Sequence, residues 1–273
     1  MPEGDTVWLT AHKLHGALAG GLLTRTDFRL PELATTDLSG RTVIEVVARG
    51  KHILLRTSDE LTLHSHLMMD GSWTASRNGK RLFGQSHPAH HLRVVLETAE
   101  VTAQGHRVHD VRIVPTARES DLVGHLGPDL LGPDWDVAVT TSRLLSTPDR
   151  MIGPALLDQR NLAGLGNLYK CELLFLRGVS PWAPVSSVAD LPAMMVLAHR
   201  LLRANRDTWA QVTTGVNRPG QQTWVYERGS KPCRRCGTPI RRADQHEPGH
   251  GRLGDPRARS TYWCPHCQPG PGP

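Results

Sequence analysis

Long apolar runs are missing from this 273-residue sequence, and without eighteen consecutive apolar residues no helix can span a membrane. The opening residues also lack the basic start and apolar core of a secretion signal, with Glu3 and Asp5 standing where positive charge would be expected. Both absences predict a cytoplasmic protein. Cysteine is scarce, with five in the chain, and in a reducing compartment these do not form structural disulfides. Only 5 of the 32 basic residues are lysine, so the position of each lysine matters. No internal repeat occurs.

What is present is the composition of a globular protein, 38% hydrophobic and 21% charged, with length enough for two modest domains and a sizeable core. The formal net charge of +6 is unevenly placed. Residues 200–273 hold 13 Lys/Arg against 5 Asp/Glu, whereas the first 199 hold 19 against 21. Positive charge concentrated in the last quarter points to a polyanion partner there.

Residues 5–18, DTVWLTAHKLHGAL, read as a helix capped by Asp5 or Thr6, with Val7, Ala11, Leu14 and Leu18 on its apolar face. From Arg41 the pattern turns to strands: TVIEVV, KHILLRT, LTLHSHLMM, LRVVLET and HRVHDVRIV. Five or so strands without intervening helices predict an antiparallel sandwich or barrel. HLGPDLLGPDWD (125–136), with its Gly-Pro and Pro-Asp steps, reads as a linker. Beyond it the helical stretches are TTSRLLS, GPALLDQR, LGNLYKCELLFLRG and DLPAMMVLAHRLLRANRDTWAQV. The tail QPGPGP reads as disordered.

Four of the five cysteines form two hooks, Cys233-Arg-Arg-Cys236 and Cys264-Pro-His-Cys267. Each gap of two residues lets both sulfurs of a hook reach one ion, and four soft ligands suit tetrahedral zinc. A closed four-sulfur site leaves no open coordination position, which makes the ion structural. The flanks TPIRRA and RSTYWC read as two strands, with Arg259 near the turn between them, and QHEPGHGRLGD (245–255) as a loop whose His246 and His250 are solvated. Cys171 lies in an apolar helix and reads as core. LLDQRNLAGLGNLYKCELLFLRGVSP (156–181) is two helical patterns joined by AGLGN. Bare backbone at Gly164 and Gly166 beside a helix start at Asn167 makes a phosphate site.

Four stretches together resemble the formamidopyrimidine-DNA glycosylase and endonuclease VIII family: MPEG at the start, RGKHILL (49–55), LLDQRNLAGLGNLYKCELLF (156–175), and the cysteine hairpin with RSTYWC and PHC. The start PEGDTV is closer to the endonuclease VIII branch and its actinobacterial subgroup. The resemblance implies an α+β chain with an N-terminal β-sandwich catalytic domain (1–118) and a linker (119–136). A helical domain with a helix–two-turn–helix (137–222), a zinc-finger hairpin (223–268) and the disordered tail (269–273) follow. Damaged DNA is the implied partner, bound by a bacterial monomer in the cleft between the domains.

The same resemblance implies the chemistry. Once Met1 is removed, Pro2 presents a secondary amine, and a free α-amino group has a pKa near ~8 against ~10.4 for lysine. The amine attacks C1′ of the deoxyribose as the damaged base leaves, and strand cleavage by elimination follows. Glu3 serves as acid and base on the opened sugar. Lys51 approaches the reacting nucleotide and a phosphate, and Asn167 and Arg259 hold flanking phosphates. Glu172 matches an acidic residue near the DNA and the terminal amine. The nucleotide must leave the stack, and SHLMMDGSW (65–73) matches the loop that fills the gap, with Met68 and Met69 as wedges. Strand alternation predicts that one of the two faces DNA.

Departures from the family bear on substrate. VHDVRIVP (108–115) lacks the Asp-Pro-Arg-Arg-Phe pattern of the 8-oxoguanine enzymes, and VNRPGQQTW between Gly215 and Val225 is shorter than their lesion-covering loop. Both favour oxidised pyrimidines. Thr6 stands where endonuclease VIII has a glutamate. The alternatives are an 8-oxoguanine-preferring member of the family and a non-catalytic zinc-dependent DNA-binding protein.

Overall fold

The computed structural model describes residues 2–246 and 258–273, which divide into two compact units at His125/Leu126. Unit 1 opens with α1 (Gly4–Leu18) and continues through nine strands: β1 (Arg25–Phe28), β2 (Val43–Arg49), β3 (His52–Thr57), β4 (Leu61–His66), β5 (Ser72–Arg77), β6 (Lys80–Phe83), β7 (Leu92–Glu97), β8 (Val101–His106) and β9 (Asp110–Pro115). The strands pair antiparallel into two sheets, β1-β7-β8-β5-β6 and β2-β3-β4-β9. Inward residues of both sheets, among them Val46, Ile53, Leu63, Trp73, Val94 and Ala103, share one core with Val7, Ala11, Leu14 and Leu18 of α1. A short α2 (Ser120–Val123) follows.

The apolar face read for α1 is the buried one, but the helix starts at Gly4 with Glu3 in the cap position, and no side chain caps it. Asp5 bonds to the neighbouring Thr6 amide instead. HRVHDVRIV is not one strand. Arg107 takes φ +52, its amide donates to His91 O at 2.8 Å, and the chain turns there between β8 and β9. The strands that patterning did not single out are β1, β5, β6 and the start of β8. β1 and β6 are four-residue strands at the two edges of their sheet, where polar side chains meet solvent and weaken the apolar alternation.

Unit 2 holds α3 (Val137–Leu145), α4 (Ile152–Leu157), α5 (Asn167–Arg177), α6 (Leu191–Asn205), and a two-stranded ribbon of β10 (Arg241–Gln245) and β11 (Arg259–Trp263). Asp136 caps α3 and Asp190 caps α6, each accepting the backbone N–H three residues on. Leu130, Leu144, Leu156, Tyr169, Leu173 and Met194 are fully buried together. Residues 126–130 are buried within this unit, and a bridge joins Asp129 to Ala163. The end of the chain forms neither helix nor strand, and Ser180 Oγ donates to Pro271 O at 2.5 Å. Among the described residues no helix is long and apolar enough to cross a membrane.

Candidate functional site

In unit 1 the candidate residues collect at one end of the β2-β3-β4 sheet. β2 and β3 are joined by a two-residue turn, Gly50–Lys51, closed by the Arg49–His52 pair. Gly50 takes φ +58, the positive value that the first position of a primed hairpin turn needs, and this sets Lys51 at the tip. β4 finishes at the same end, because His66 pairs with His52. α1 runs antiparallel to β2: Gly20 N bonds Val43 O, and Val46 N bonds His15 Nδ1. The start of α1, with Pro2 and Glu3, is therefore directed toward the Lys51 end. Glu3 is 0% exposed and Asp5 1% exposed, so both carboxyl groups are withdrawn from water.

The loop after β4 differs from the strand-alternation expectation. The strand stops at His66, Met68 takes φ +53, and Met68 and Met69 are 50% and 62% exposed. Both methionines therefore face outward, and neither finishes a strand in the core. Leu67, only 2% exposed, anchors the loop, and Gly71 N–H closes it onto Leu67 O at 2.8 Å. A Cβ at Gly71 would lie 2.5 Å from that oxygen, so the position requires glycine.

Beneath Lys51 and this loop lies a group of histidines that patterning did not bring forward. His52 Nδ1 and His64 Nε2 share a hydrogen bond of 2.8 Å, and the His66 ring stands edge-on to His52 at 4.9 Å. Burial, with the charges of His66, His64, His125 and Lys51 adding to it, pushes His52 down to about 3. Burial likewise brings His64 to about 4 against the pull of Asp110. The alternation His64-Ser65-His66 is visible in LTLHSH, but the partner His52 needs the strand register.

In unit 2, Gly164 at φ +98 turns the chain between α4 and α5, and Gly166 stands at the cap of α5. Asn167 is 5% exposed, and its Nδ2 donates to Ser260 O on β11 at 2.8 Å. Lys170 Nζ donates to Thr261 Oγ1 at 2.6 Å, and Tyr262 N donates to the buried Cys171 Sγ at 3.5 Å. Three successive residues of β11 are thus stitched to α5. Arg259 begins β11 opposite Gln245, in the last pair of the ribbon, and is exposed. The 247–257 connection, with His250 and most of the loop expected to be solvated, lies outside the described residues.

The two cysteine hooks meet: the four Sγ atoms lie within 4.8 Å of one another and could hold a metal ion. Cys233–Cys267 is 3.9 Å and Cys236–Cys264 is 3.5 Å, against about 3.8 Å for sulfurs tetrahedral about one ion at ~2.3 Å. Hydrogen bonds from Thr238 lower the Cys236 thiol to about 6, while burial pushes Cys264 and Cys267 up. Four sulfurs at these separations form a donor set that fits a soft divalent ion, whose charge would offset the thiolates formed when it binds.

Glu172, matched by resemblance to an acidic residue near the terminal amine and the DNA, is 0% exposed, and its carboxylate is hydrogen-bonded within unit 2. It accepts from Trp224 N at 2.7 Å, from Val225 N and Tyr226 N at 2.8 Å each, and from the Thr213 hydroxyl. It fixes both ends of the exposed 215–220 segment from inside, which a sequence pattern cannot show because the partners are backbone amides more than fifty residues away. Glu172→Ala strands those amides, and the expected loss of stability is roughly 3 kcal/mol or more, with Glu172→Gln in between. Thermal unfolding of the three proteins checks this, and equal midpoints would refute the brace.

Residues 1–116 match the formamidopyrimidine-DNA glycosylase N-terminal domain, and residues 126–204 match the formamidopyrimidine-DNA glycosylase H2TH domain. The chain is 55% identical over 275 residues to a probable endonuclease 8 2 of Streptomyces coelicolor, covering 100% of this chain and 96% of that protein. It is 45% identical over 268 residues to the DNA-(apurinic or apyrimidinic site) lyase Nei2 of Mycolicibacterium smegmatis, covering 98% and 99%. Among solved structures it is similar to MutM in complex with carbocyclic 8-oxo-G containing DNA, with TM-score 0.77 and 19% identity over 98% and 100% of the two chains. A Lactococcus lactis Fpg complex with abasic-site DNA gives TM-score 0.76 and 20% identity, also over 98% and 100%. At these identities the structural likeness establishes the fold.

Proposed function

The chain belongs to the formamidopyrimidine-DNA glycosylase family, and from that membership we infer a base-excision-repair DNA glycosylase that also cleaves abasic sites. Pro2 is its nucleophile once Met1 is removed. The secondary amine forms a bond to C1′ while the C1′–N bond to the damaged base breaks and the base leaves with its electron pair. The sugar ring then opens as the C1′–O4′ bond breaks, which leaves an iminium at C1′. That cation acidifies the C2′ hydrogens, and loss of one with departure of the 3′-phosphate cuts the strand. Glu3 delivers and removes protons at the opened sugar. The observation that carries this reading is Glu3 at 0% exposure next to Pro2, a carboxyl group kept from bulk water beside a would-be amine.

Lys51 approaches the reacting nucleotide, Met68 and Met69 fill the gap it leaves, and Asn167 and Arg259 grip flanking phosphates. The ion held by Cys233, Cys236, Cys264 and Cys267 is zinc, and it is structural because all four ligands are protein sulfurs. Supporting the phosphate role, α5 and β11 are joined by side-chain bonds that keep Asn167 and the start of β11 in fixed relation. Such contacts position the duplex while the pocket selects the base.

Oxidised pyrimidines are the preferred substrates, as the short 216–224 connection leaves little chain to cover a purine. Borohydride reduction on a panel of lesion duplexes tests both parts of the reading. A covalent adduct is expected, with thymine glycol excised faster than 8-oxoguanine. Faster purine release would overturn the substrate assignment, and DNA binding without any adduct would identify a non-catalytic binder.

A further inference from the structure

We propose that His66 is a positioning residue for the gap-filling loop: its neutral ring holds the Met68–Met69 tip in place, and protonation of that ring releases it. The proposal rests on the reading of those methionines as wedges and deepens it.

The tip is fastened at three points. Leu67 is buried and closed onto Gly71. Asp70 pairs with Arg107 at 2.9 Å. Met68 N–H donates to His66 Nδ1 at 2.9 Å, across two residues, at the point where Met68 takes its positive φ. A residue with a Cβ does not favour that backbone region, so the bond supports a conformation the methionine would not keep alone. Two exposed thioethers inserted into a base stack need a rigid base, because any freedom in the loop is lost again on insertion.

Of the three fastenings, the His66 bond depends most directly on protonation state. An imidazole accepts at Nδ1 only when it is neutral with its proton on Nε2, and an imidazolium presents N–H at both nitrogens. A charged His66 would turn a donor toward the Met68 donor. The groups around the ring decide when this happens. His52 on β3 stands edge-on to it, and Asp110 on β9 is its register partner. His64 lies on the same strand, Lys51 is on the adjoining turn, and His125 stands beyond His52. Burial lowers the proton affinity of His66 most; Asp110 opposes that and Lys51 adds to it. A histidine with depressed affinity stays neutral at neutral pH, and its bond to Met68 is lost as pH falls through the folded value.

The test compares the wild-type protein, His66→Ala, His66→Asn and a Met68→Ala/Met69→Ala double variant at about pH 7.5 and about pH 5. Two readouts are taken: single-turnover excision of thymine glycol, and the fluorescence of 2-aminopurine placed beside the lesion. The His66→Asn variant keeps an acceptor at the δ position, and its side chain does not titrate. At neutral pH His66→Ala is expected to lose about tenfold in excision and most of the fluorescence change, the scale of one lost hydrogen bond. His66→Asn should stay close to wild type. On acidification the wild type should fall relative to His66→Asn, a ratio in which protonation of the nucleophile cancels. If His66→Asn is as defective as His66→Ala, or if neither differs from wild type at either pH, the inference fails. If the double methionine variant matches wild type in both readouts, the wedge reading itself fails and takes the inference with it.

Discussion

Protein that keeps Met1 will form no borohydride-stable adduct with abasic-site DNA, and its strand cleavage will fall on the order of 10³-fold or more. The reason is electronic. With Met1 attached, the nitrogen of Pro2 belongs to a tertiary amide whose lone pair is delocalised into a carbonyl, so it cannot attack C1′. No other part of the proposed machinery changes, and the phosphate contacts of unit 2 are untouched. Affinity for an uncleavable abasic-site analogue should therefore stay within about threefold of the processed protein. The comparison needs two preparations of one chain, with the state of the terminus established by mass spectrometry. Full activity in unprocessed protein would remove Pro2 from the mechanism. Peptide mapping of the reduced adduct is an independent check, because the oligonucleotide must be carried by the first residue of the processed chain.

Cys264→Ser is expected to release the metal and weaken DNA binding by roughly 10- to 100-fold, the range for losing one or two charge-assisted hydrogen bonds. Cys264 is 0% exposed, and its amide is held by Gln268 Oε1 at 3.0 Å, so the substitution acts at the inner side of the hairpin. A hydroxyl is a poor ligand for a soft ion, and in small metal-bound elements the binding energy is also folding energy. Once the hooks part, the β10–β11 ribbon loses its closure, and β11 carries Arg259, Ser260 and Thr261. The consequence reaches α5, because Asn167 and Lys170 are bonded to Ser260 and Thr261. Two readouts separate this from general unfolding. Metal content should fall below one ion per chain, and the slope of log affinity against log salt should drop by about one for each phosphate no longer gripped. Unchanged affinity and salt slope in metal-free protein would show that the hairpin does not grip the duplex.

The legible parts of the site share a property: their chemistry is local in the chain. The two cysteine hooks are ligand pairs within four residues of each other, the Gly-rich turn adjoins the helix it starts, and Pro2 and Glu3 are neighbours. The features that sequence pattern misses depend on residues distant in the chain. The brace made by Glu172 is invisible in the sequence because its partners are the backbone amides of Trp224, Val225 and Tyr226, and an amide has no letter of its own. The histidine group needs the β3–β4 register to bring His52 against His64 and His66. The methionine loop breaks the two-residue period past His66, where a positive φ at Met68 ends the strand.

Pattern and composition alone determined the run of strands followed by helices, the cysteine hooks and the skew of positive charge, since each is read from side-chain character along the chain, whereas the proposed pairing of the Pro2 amine with Glu3 came from the family resemblance. The tertiary fold decided that both methionines project into solvent, that Glu172 is an internal brace, and that α5 and β11 act as one piece. Those outcomes depend on burial and on backbone partners from elsewhere in the chain, and they exist only after the chain has closed on itself.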